Sequence, residues 1–299
     1  MQTQQVNFEK IAEGLYILRL PFSGIWAGVY LHVGREVALI DSGPDAQGVD
    51  TYILPALRRL GLAPRDITLL LNTHTHGDHV GGHFRLKELC PHARVACTER
   101  GARKLRDPLH YNIAIRQRFP QDSPPPSYGL RGVETDELLS DGQCVDGLRL
   151  ICTSGHDDDC VCFLHEGSGT LLTGDSVQQN GTDTQGMALY MYLDDYERSL
   201  RRLVQLGAEK IVCGHPFNPM GAVAEGSAAC REYLESCLAL TQRYDAFIRT
   251  FFEKSDDMRA CAAALIGELG GVLPKHLFLA LYTVSEHLKR MKTQKEYEK

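Results

Sequence analysis

Short apolar segments alternate with amphipathic ones along the first hundred residues. Runs of branched and aromatic side chains, separated by glycines and charges, predict strands at 15–18, 28–31, 37–40, 67–71 and 94–97. Apolar side chains three or four positions apart predict helices over about 49–60 and 84–89. This part of the chain is therefore expected to alternate between strands and helices.

Residues 101–135 interrupt the alternation. The stretch is charged, contains Pro108 and Pro120, and includes three consecutive prolines at 124–126. It predicts an inserted helix and loop outside the core. Such an insertion is either a lid or wall of a substrate pocket, or solvated surface.

Strand patterns return after residue 144, and a purely helical pattern follows them. Strands are predicted at 148–151, 161–164, 169–172 and 210–213, with a helix over 196–206. From residue 224 the apolar positions recur three or four apart, and further helices are predicted at 258–269 and 277–291. We therefore divide the chain into a catalytic domain, residues 1–223, and a C-terminal helical segment, residues 224–299, that packs on it.

Composition narrows the range of partners and compartments. The 299 residues carry a formal charge of −6, which provides no basic surface for nucleic acid or anionic lipid. No apolar run approaches the roughly 20 residues that span a bilayer. Ten cysteines without an export signal at the N-terminus predict a cytoplasmic protein with reduced thiols. We expect a small-molecule substrate and neither a nucleic-acid nor a membrane partner.

Four side chains of types that bind metals occur within six residues: His74, His76, Asp78 and His79. His74 and His76 follow a predicted strand two positions apart, so their side chains can converge on one ion. Gly77 lets the chain turn, so that Asp78 and His79 can face a second ion beside the first. The segment therefore predicts a dinuclear metal site rather than unrelated histidines.

Three further candidate ligands each follow an apolar strand pattern and a glycine. They are His156 after Gly155, Asp175 after Gly174 and His215 after Gly214. A glycine in this position permits a tight turn and a close approach of the backbone to the site. Because loops at strand ends often carry functional residues, we expect these three to complete the ligand set.

The identity and order of these motifs resemble the metallo-β-lactamase-fold hydrolase superfamily over roughly residues 8–220. The resemblance implies a four-layer αββα sandwich of two mixed β-sheets with a C-terminal helical extension. It implies that one ion is bound by His74, His76 and His156, a second by Asp78, His79 and His215, and both by Asp175. Asp41 matches the strand-end aspartate that supports the ligands from behind.

Within the superfamily, the complete ligand set and the helical C-terminus resemble the glyoxalase II-like and quinolone-signal-response thioesterase-like branch. The segment 155–163 carries this second likeness. Most relatives have a proline two residues before this histidine and Thr-Pro-Gly after it, where this chain has Ser154 and three aspartates at 157–159. The departure keeps the ligand His156 but does not transfer a substrate identity.

The expected activity is metal-dependent hydrolysis of an ester-type bond, either a thioester or a lactone. Two divalent ions, zinc first and iron or manganese as alternatives, would lower the pKa of a shared water and polarise the carbonyl. Asp78 is expected to orient the attacking hydroxide. Tyr190, Tyr192 and Phe217 are candidate pocket residues, and the alternative for each is packing in the core.

Two other functions stay open. A phosphodiesterase of the same superfamily would use the same ligands. A regulatory protein would instead act through its C-terminal helices, by exposed apolar positions or by forming a homodimer.

Overall fold

The computed structural model describes residues 6–297, whose strands form two mixed sheets. The first sheet has the order β1 (Glu9–Ala12), β2 (Leu15–Phe22), β3 (Ile25–Val33), β4 (Val37–Ile40), β5 (Leu69–Leu71), β6 (Arg94–Cys97) and β7 (Glu137–Leu138). β1 to β4 pair antiparallel, and β4 to β7 pair parallel. The parallel part places the carboxyl ends of β4 and β5 side by side.

The second sheet is mostly antiparallel. Its order is β8 (Cys144–Val145), β9 (Leu148–Cys152), β10 (Val161–His165), β11 (Thr170–Gly174), β12 (Lys210–Cys213) and β13 (Val223–Glu225). β11 and β12 form its one parallel pair within the described residues, so their carboxyl ends also lie at one edge. The domain boundary predicted after residue 223 falls inside β13, which pairs with β12.

Helices connect and cover the strands. They are α1 (Ala46–Gly48), α2 (Leu54–Arg59), α3 (Gly77–Val80), α4 (His83–Leu89), α5 (Glu99–Arg106), α6 (Pro108–Gln117), α7 (Leu193–Leu206), α8 (Ser227–Phe252), α9 (Met258–Glu268) and α10 (Phe278–Tyr297). A π-helical turn (Val49–Ile53) joins α1 to α2, and a 3-10 turn (Pro64–Asp66) precedes β5. In the described part of the chain, no helix has the length and apolarity needed to cross a membrane.

The two sheets pack face to face across an apolar layer. Alternate residues of β2 point to opposite faces, so Ile17 enters this central layer while Leu18 faces outward. Phe163 and Val212 approach the same layer from the second sheet. The Tyr30 hydroxyl crosses it and donates to the Val212 carbonyl oxygen at 3.1 Å. The predicted αββα sandwich is confirmed.

Helices cover the outer face of each sheet. Side chains of α2, α4 and α5 pack on the first sheet. The second sheet is covered by α7 and by the C-terminal helices α8, α9 and α10. Tyr244 of α8 is fully buried there, and its hydroxyl donates to Asn180 Oδ1 at 2.7 Å. The C-terminal helices therefore form one of the four layers of the sandwich.

We predict that Ile248→Ala destabilises the whole protein. Ile248 is fully buried in α8, in the apolar cluster that also contains residues of α9 and α10, and a truncation of this size costs about 2–5 kcal/mol. Chemical denaturation followed by circular dichroism measures the change. Gln242→Ala, at an exposed position of the same helix, should stay within about 0.5 kcal/mol of the wild type. A similar loss in both variants would contradict the burial argument.

Candidate metal centre

The residues predicted to bind metal lie together at the edge of the sandwich where strands of both sheets end. From the first sheet, β5 leads directly into the loop that carries His74 and His76. α3 starts after His76 and presents Asp78 and His79 in its first turn. One short segment thus supplies four of the candidate ligands, as its sequence predicts.

The second sheet supplies the other three candidate ligands at the same edge. His156 lies in the loop between β9 and β10, while Asp175 and His215 follow the ends of β11 and β12. A Cβ atom on Gly214 would lie only 2.8 Å from Asp175 Oδ1, and one on Gly155 only 2.4 Å from Tyr196 Cα. The glycine before each of these ligands therefore allows the close approach that its position predicts.

Two groups of ligand atoms face each other across the site. In the first group, His74, His76 and His156 present nitrogens within 4.8 Å of one another, with 3.0 Å between His156 Nε2 and His76 Nδ1. The second group holds Asp78, His79 and His215. It also combines residues from both sheets, since His215 Nε2 lies 3.1 Å from Asp78 Oδ2 and 3.2 Å from His79 Nε2.

Asp175 lies between the two groups. Its Oδ2 is 3.6 Å from His156 Nε2, while its Oδ1 is 3.4 Å from His79 Nε2 and 3.6 Å from His215 Nε2. One carboxylate thus presents a different oxygen to each group. This is the arrangement required of a carboxylate that contacts two neighbouring ions.

Unpartnered buried atoms show that the site fits divalent metal ions. His74 Nε2 and Asp175 Oδ1 are both buried, and neither has a hydrogen-bond partner among the described residues. Leaving such atoms without a partner costs about 1–3 kcal/mol each. Imidazole nitrogens and carboxylate oxygens are the donors that zinc and related ions take in proteins. Cations placed between the two groups would satisfy these atoms.

An oxygen atom lies beside the outer nitrogen of each of the five histidines, and the other nitrogen faces the centre. The outer contacts are Thr73 Oγ1 for His74 (3.1 Å), Asp157 Oδ2 for His76 (3.4 Å), Asp41 Oδ2 for His79 (2.8 Å), Leu189 O for His156 (3.0 Å) and Trp26 O for His215 (2.7 Å). Metal-binding histidines are commonly oriented in this way.

Asp41 has the supporting position predicted for it. Its backbone has a φ of 64°, a left-handed conformation that is uncommon for a residue with a Cβ. Its carboxylate accepts hydrogen bonds from the Thr73 backbone N–H at 2.7 Å and the Thr73 hydroxyl at 2.8 Å, besides the His79 contact. Asp41 thereby fixes the strand end and the ring of His79 together.

Burial and neighbouring charges shift the histidine pKa values in opposite directions in the two groups. Burial lowers the pKa of His156 to about 4 and holds the pKa of His74 well below its usual range. Burial alone would also lower the pKa of His79, but Asp175 and Asp41 raise it well above the usual value. His74 and His156 are thus neutral imidazoles, while at His79 an ion would replace a proton.

A network around Asp157 is the part of the site that the sequence did not predict. Asp157 accepts a hydrogen bond from the Tyr111 hydroxyl and faces His76 Nε2. Lys104 Nζ lies within 2.9 Å of a carboxylate oxygen of each of residues 157–159. Burial alone would raise the pKa of Asp157, but His76 and Lys104 hold it well below the usual range. Of the three aspartates that depart from the family pattern, Asp157 thus braces His76, while Asp158 and Asp159 contact Lys104.

A cavity of about 710 Å³ opens over the candidate metal centre. His76, Asp78 and Asp175 lie at its base. Its walls come from the turn between β2 and β3, α6 of the insertion, residues 182–189, and residues 273–279 at the start of α10. The insertion and the C-terminal helices are therefore both walls of the same cavity, an arrangement that fits the first of the two alternatives for the insertion.

The three residues predicted to line the pocket lie elsewhere, which corrects that prediction. Tyr190 is fully buried, and its hydroxyl is 2.7 Å from His287 Nε2. Phe217 is fully buried beneath the C-terminal helices. Tyr192 lies in a neighbouring groove beside α10. The chain after Asp175 turns these rings toward the helical layer, and the tyrosine that lines the cavity is Tyr111.

Comparison with known protein families agrees with this geometry. The model of the metallo-beta-lactamase superfamily matches residues 22–215, a range that contains all seven candidate ligands. The chain therefore belongs to the metallo-beta-lactamase superfamily. The resemblance inferred from the motifs is confirmed, and hydrolytic metalloenzyme is the class that it defines.

Individual relatives agree with this family assignment, although each is similar over only part of its length or at modest identity. The uncharacterized protein YobT of Bacillus subtilis is 34% identical over 150 residues, covering 49% of this chain and 60% of that protein. Hydroxyacylglutathione hydrolase of Methylococcus capsulatus is 31% identical over 198 residues, 62% of this chain and 64% of that protein. The chain thus spans less than two thirds of both relatives. A metallo-beta-lactamase family protein from Thermus thermophilus superposes with a TM-score of 0.74 at 26% identity, over 95% of each chain.

We predict that Asp157→Asn weakens metal binding. Asn cannot offer His76 the negative charge that orients its ring, and losing such a partner lowers metal affinity by about 10- to 100-fold. Competition with a chromophoric chelator measures the affinity for zinc. Asp158→Asn is the matched control, because Asp158 contacts the same Lys104 without facing His76. Equal affinities in Asp157→Asn and the wild type would refute the role given to Asp157.

Proposed function

We propose that this protein is a zinc-dependent dinuclear hydrolase of ester-type bonds, with thioesters as the first substrate class and lactones as the second. The observation that carries the proposal is Asp175, which presents one oxygen to each histidine group at the base of a cavity of about 710 Å³. The relative from Methylococcus capsulatus is a hydroxyacylglutathione hydrolase, which supports a thioester.

Bound divalent ions would supply an acidified water and a polarised carbonyl oxygen. Hydrolysis then forms a carbon–oxygen bond to water and breaks the carbon–sulfur bond, so that a carboxylate and a thiol leave. Asp78 has a side chain 22% exposed, and that exposed part faces the cavity. Its carboxylate would accept a hydrogen bond from the attacking water and orient it. Asp175 and the buried histidines would hold the ions in place.

The walls of the cavity favour a substrate with an apolar part. Ile115 of α6, Leu189 and Phe278 of α10 line it together with the candidate ligands. Pockets that enclose small organic substrates are typically apolar with a few polar groups that fix orientation. The ten cysteines are all free thiols, which supports action in a reducing compartment such as the cytoplasm.

The alternative functions receive less support. A regulatory role through the C-terminal helices would need exposed apolar side chains on them. Within the described residues, the large apolar side chains exposed after residue 226 are Val272 and Leu273, which lie in the connection between α9 and α10. A phosphodiesterase would use the same ligands, but the relative from Methylococcus capsulatus supports a thioester instead.

We predict that His76→Ala abolishes hydrolysis and leaves the fold intact. The variant removes one of the three donors of the first group. Loss of a residue that only orients a metal ligand typically costs about 10- to 100-fold in metal affinity or activity. Loss of a ligand itself should cost more, so we expect kcat/KM to fall by about 100-fold or more. His110→Ala, an exposed histidine of α6, should keep wild-type activity. Thioester hydrolysis is followed by thiol release, and the fold by circular dichroism. Full activity in His76→Ala would refute the dinuclear mechanism.

Metal removal provides a second test of the same proposal. Dialysis against a chelator should abolish hydrolysis of thioesters and lactones, and added zinc should restore it. Two equivalents per chain should be required, because each ligand group would hold one ion. Activity that survives complete metal depletion would contradict the proposed function.

A further inference from the structure

One charged side chain in the cavity has no charged partner. Arg116 lies in the last turn of α6 and lines the cavity together with the candidate metal ligands. Its Nε is buried and has no hydrogen-bond partner within the described part of the chain, and one terminal nitrogen donates to the Asn112 carbonyl oxygen of its own helix at 2.9 Å. Among the described residues, no carboxylate lies within the 4.0 Å of its guanidinium that an ion pair requires.

Arg290 and Arg118 provide a contrast with Arg116. Arg290 also has a buried Nε without a partner among residues 6–297, but its terminal nitrogens contact Glu197 at 3.0 Å and Asp194 at 2.6 Å. Arg118, two residues after Arg116, contacts Ser285 and lies 4.0 Å from Glu286. Arg116 is partly buried, and the part of a guanidinium that has lost its solvation is costly to leave without an anion or another acceptor.

The surroundings of Arg116 leave its free edge open to a ligand. The guanidinium lies 5.6 Å from the ring centroid of Phe278, which holds it by a cation–π contact at the start of α10. The cationic residue Lys275 and His276 line the same cavity. Apart from the candidate ligands Asp78 and Asp175, the acidic residue there is Asp183, whose Oδ1 accepts a hydrogen bond from Asn218.

We propose that Arg116 forms an oxyanion subsite, which binds a carboxylate or phosphate group of the substrate while the scissile carbonyl lies over the metal centre. The inference rests on the proposed function, because it assigns the substrate class of that same cavity. The planar guanidinium can donate two parallel hydrogen bonds to such a group. The preferred substrates are therefore esters or thioesters that combine an apolar body with a separate anionic group.

Matched substrates test this subsite on the zinc-loaded protein. The first pair is the phenylacetyl thioesters of 3-mercaptopropionate and of 3-mercaptopropionamide, which differ in one negative charge. The second pair is the acetyl thioesters of 4′-phosphopantetheine and of pantetheine. Charge-assisted hydrogen bonds lost in Arg116→Gln should lower kcat/KM for an anionic member by about 10- to 100-fold. For the uncharged member of each pair, kcat/KM should change by less than about two-fold, which is the size of effect expected when only a weak contact is lost.

The Arg116 variants and the two substrate pairs also identify the anionic group that binds. The pair with the larger loss in Arg116→Gln shows whether the group is a carboxylate or a phosphate. Arg116→Lys keeps the charge but not the paired donors, so it should recover only part of the loss. Arg103→Gln, on α5 outside the cavity, is the control and should behave like the wild type. Equal losses on the anionic and uncharged members would overturn the subsite and leave Arg116 a structural residue.

Binding separates this inference from the proposed function. The amide analogue 3-(phenylacetylamino)propionate cannot be hydrolysed under the assay conditions, and its affinity is measured by calorimetry against the matching primary amide. The anionic analogue should bind more tightly to the wild type, and Arg116→Gln should remove that difference. If no thioester or lactone is hydrolysed, the proposed function fails, but this binding difference still decides on the subsite. Equal binding of both analogues to the wild type would overturn it.

Discussion

Five imidazoles and two carboxylates share a small volume at one edge of the sandwich, and their burial constrains the rest of the structure. His74 is fully buried beside His79, with 4.1 Å between their ring centroids, so its unpartnered nitrogen cannot turn to water. Each ring is held from behind by an oxygen atom, and these oxygens come from both sheets and the loops that follow their strands. The packing of the two sheets is thus a condition for assembling the site, because neither sheet holds either ligand group alone.

The insertion and the C-terminal helices both place side chains around the candidate metal centre at this edge of the sandwich. The insertion provides Lys104 and Tyr111, which hold Asp157 against His76, and it provides Arg116, which faces the cavity. The C-terminal helices complete the opposite wall with Phe278. The sandwich thus provides the candidate ligands, while these two additions provide walls of the cavity above them.

The seven candidate ligands could be found from the sequence because each is signalled locally. A glycine or a tight histidine cluster directly after a strand indicates where the backbone must approach closely, as Gly214 shows. The cavity lining could not be predicted in the same way. Tyr190 follows Asp175 closely along the chain, yet its ring packs beside Tyr196 at 4.8 Å and its hydroxyl faces His287. Arg116 is distant from every ligand in sequence, and only the three-dimensional arrangement shows that it lacks a partner among the described residues.

Metal stoichiometry at full activity tests the central claim most directly. Metal-free protein is titrated with zinc while thioester hydrolysis and bound metal are measured on the same samples. If the two groups joined by Asp175 form a dinuclear centre, activity should rise until two ions are bound per chain and then stay constant. A plateau with one bound ion, or activity independent of bound zinc, would contradict the account.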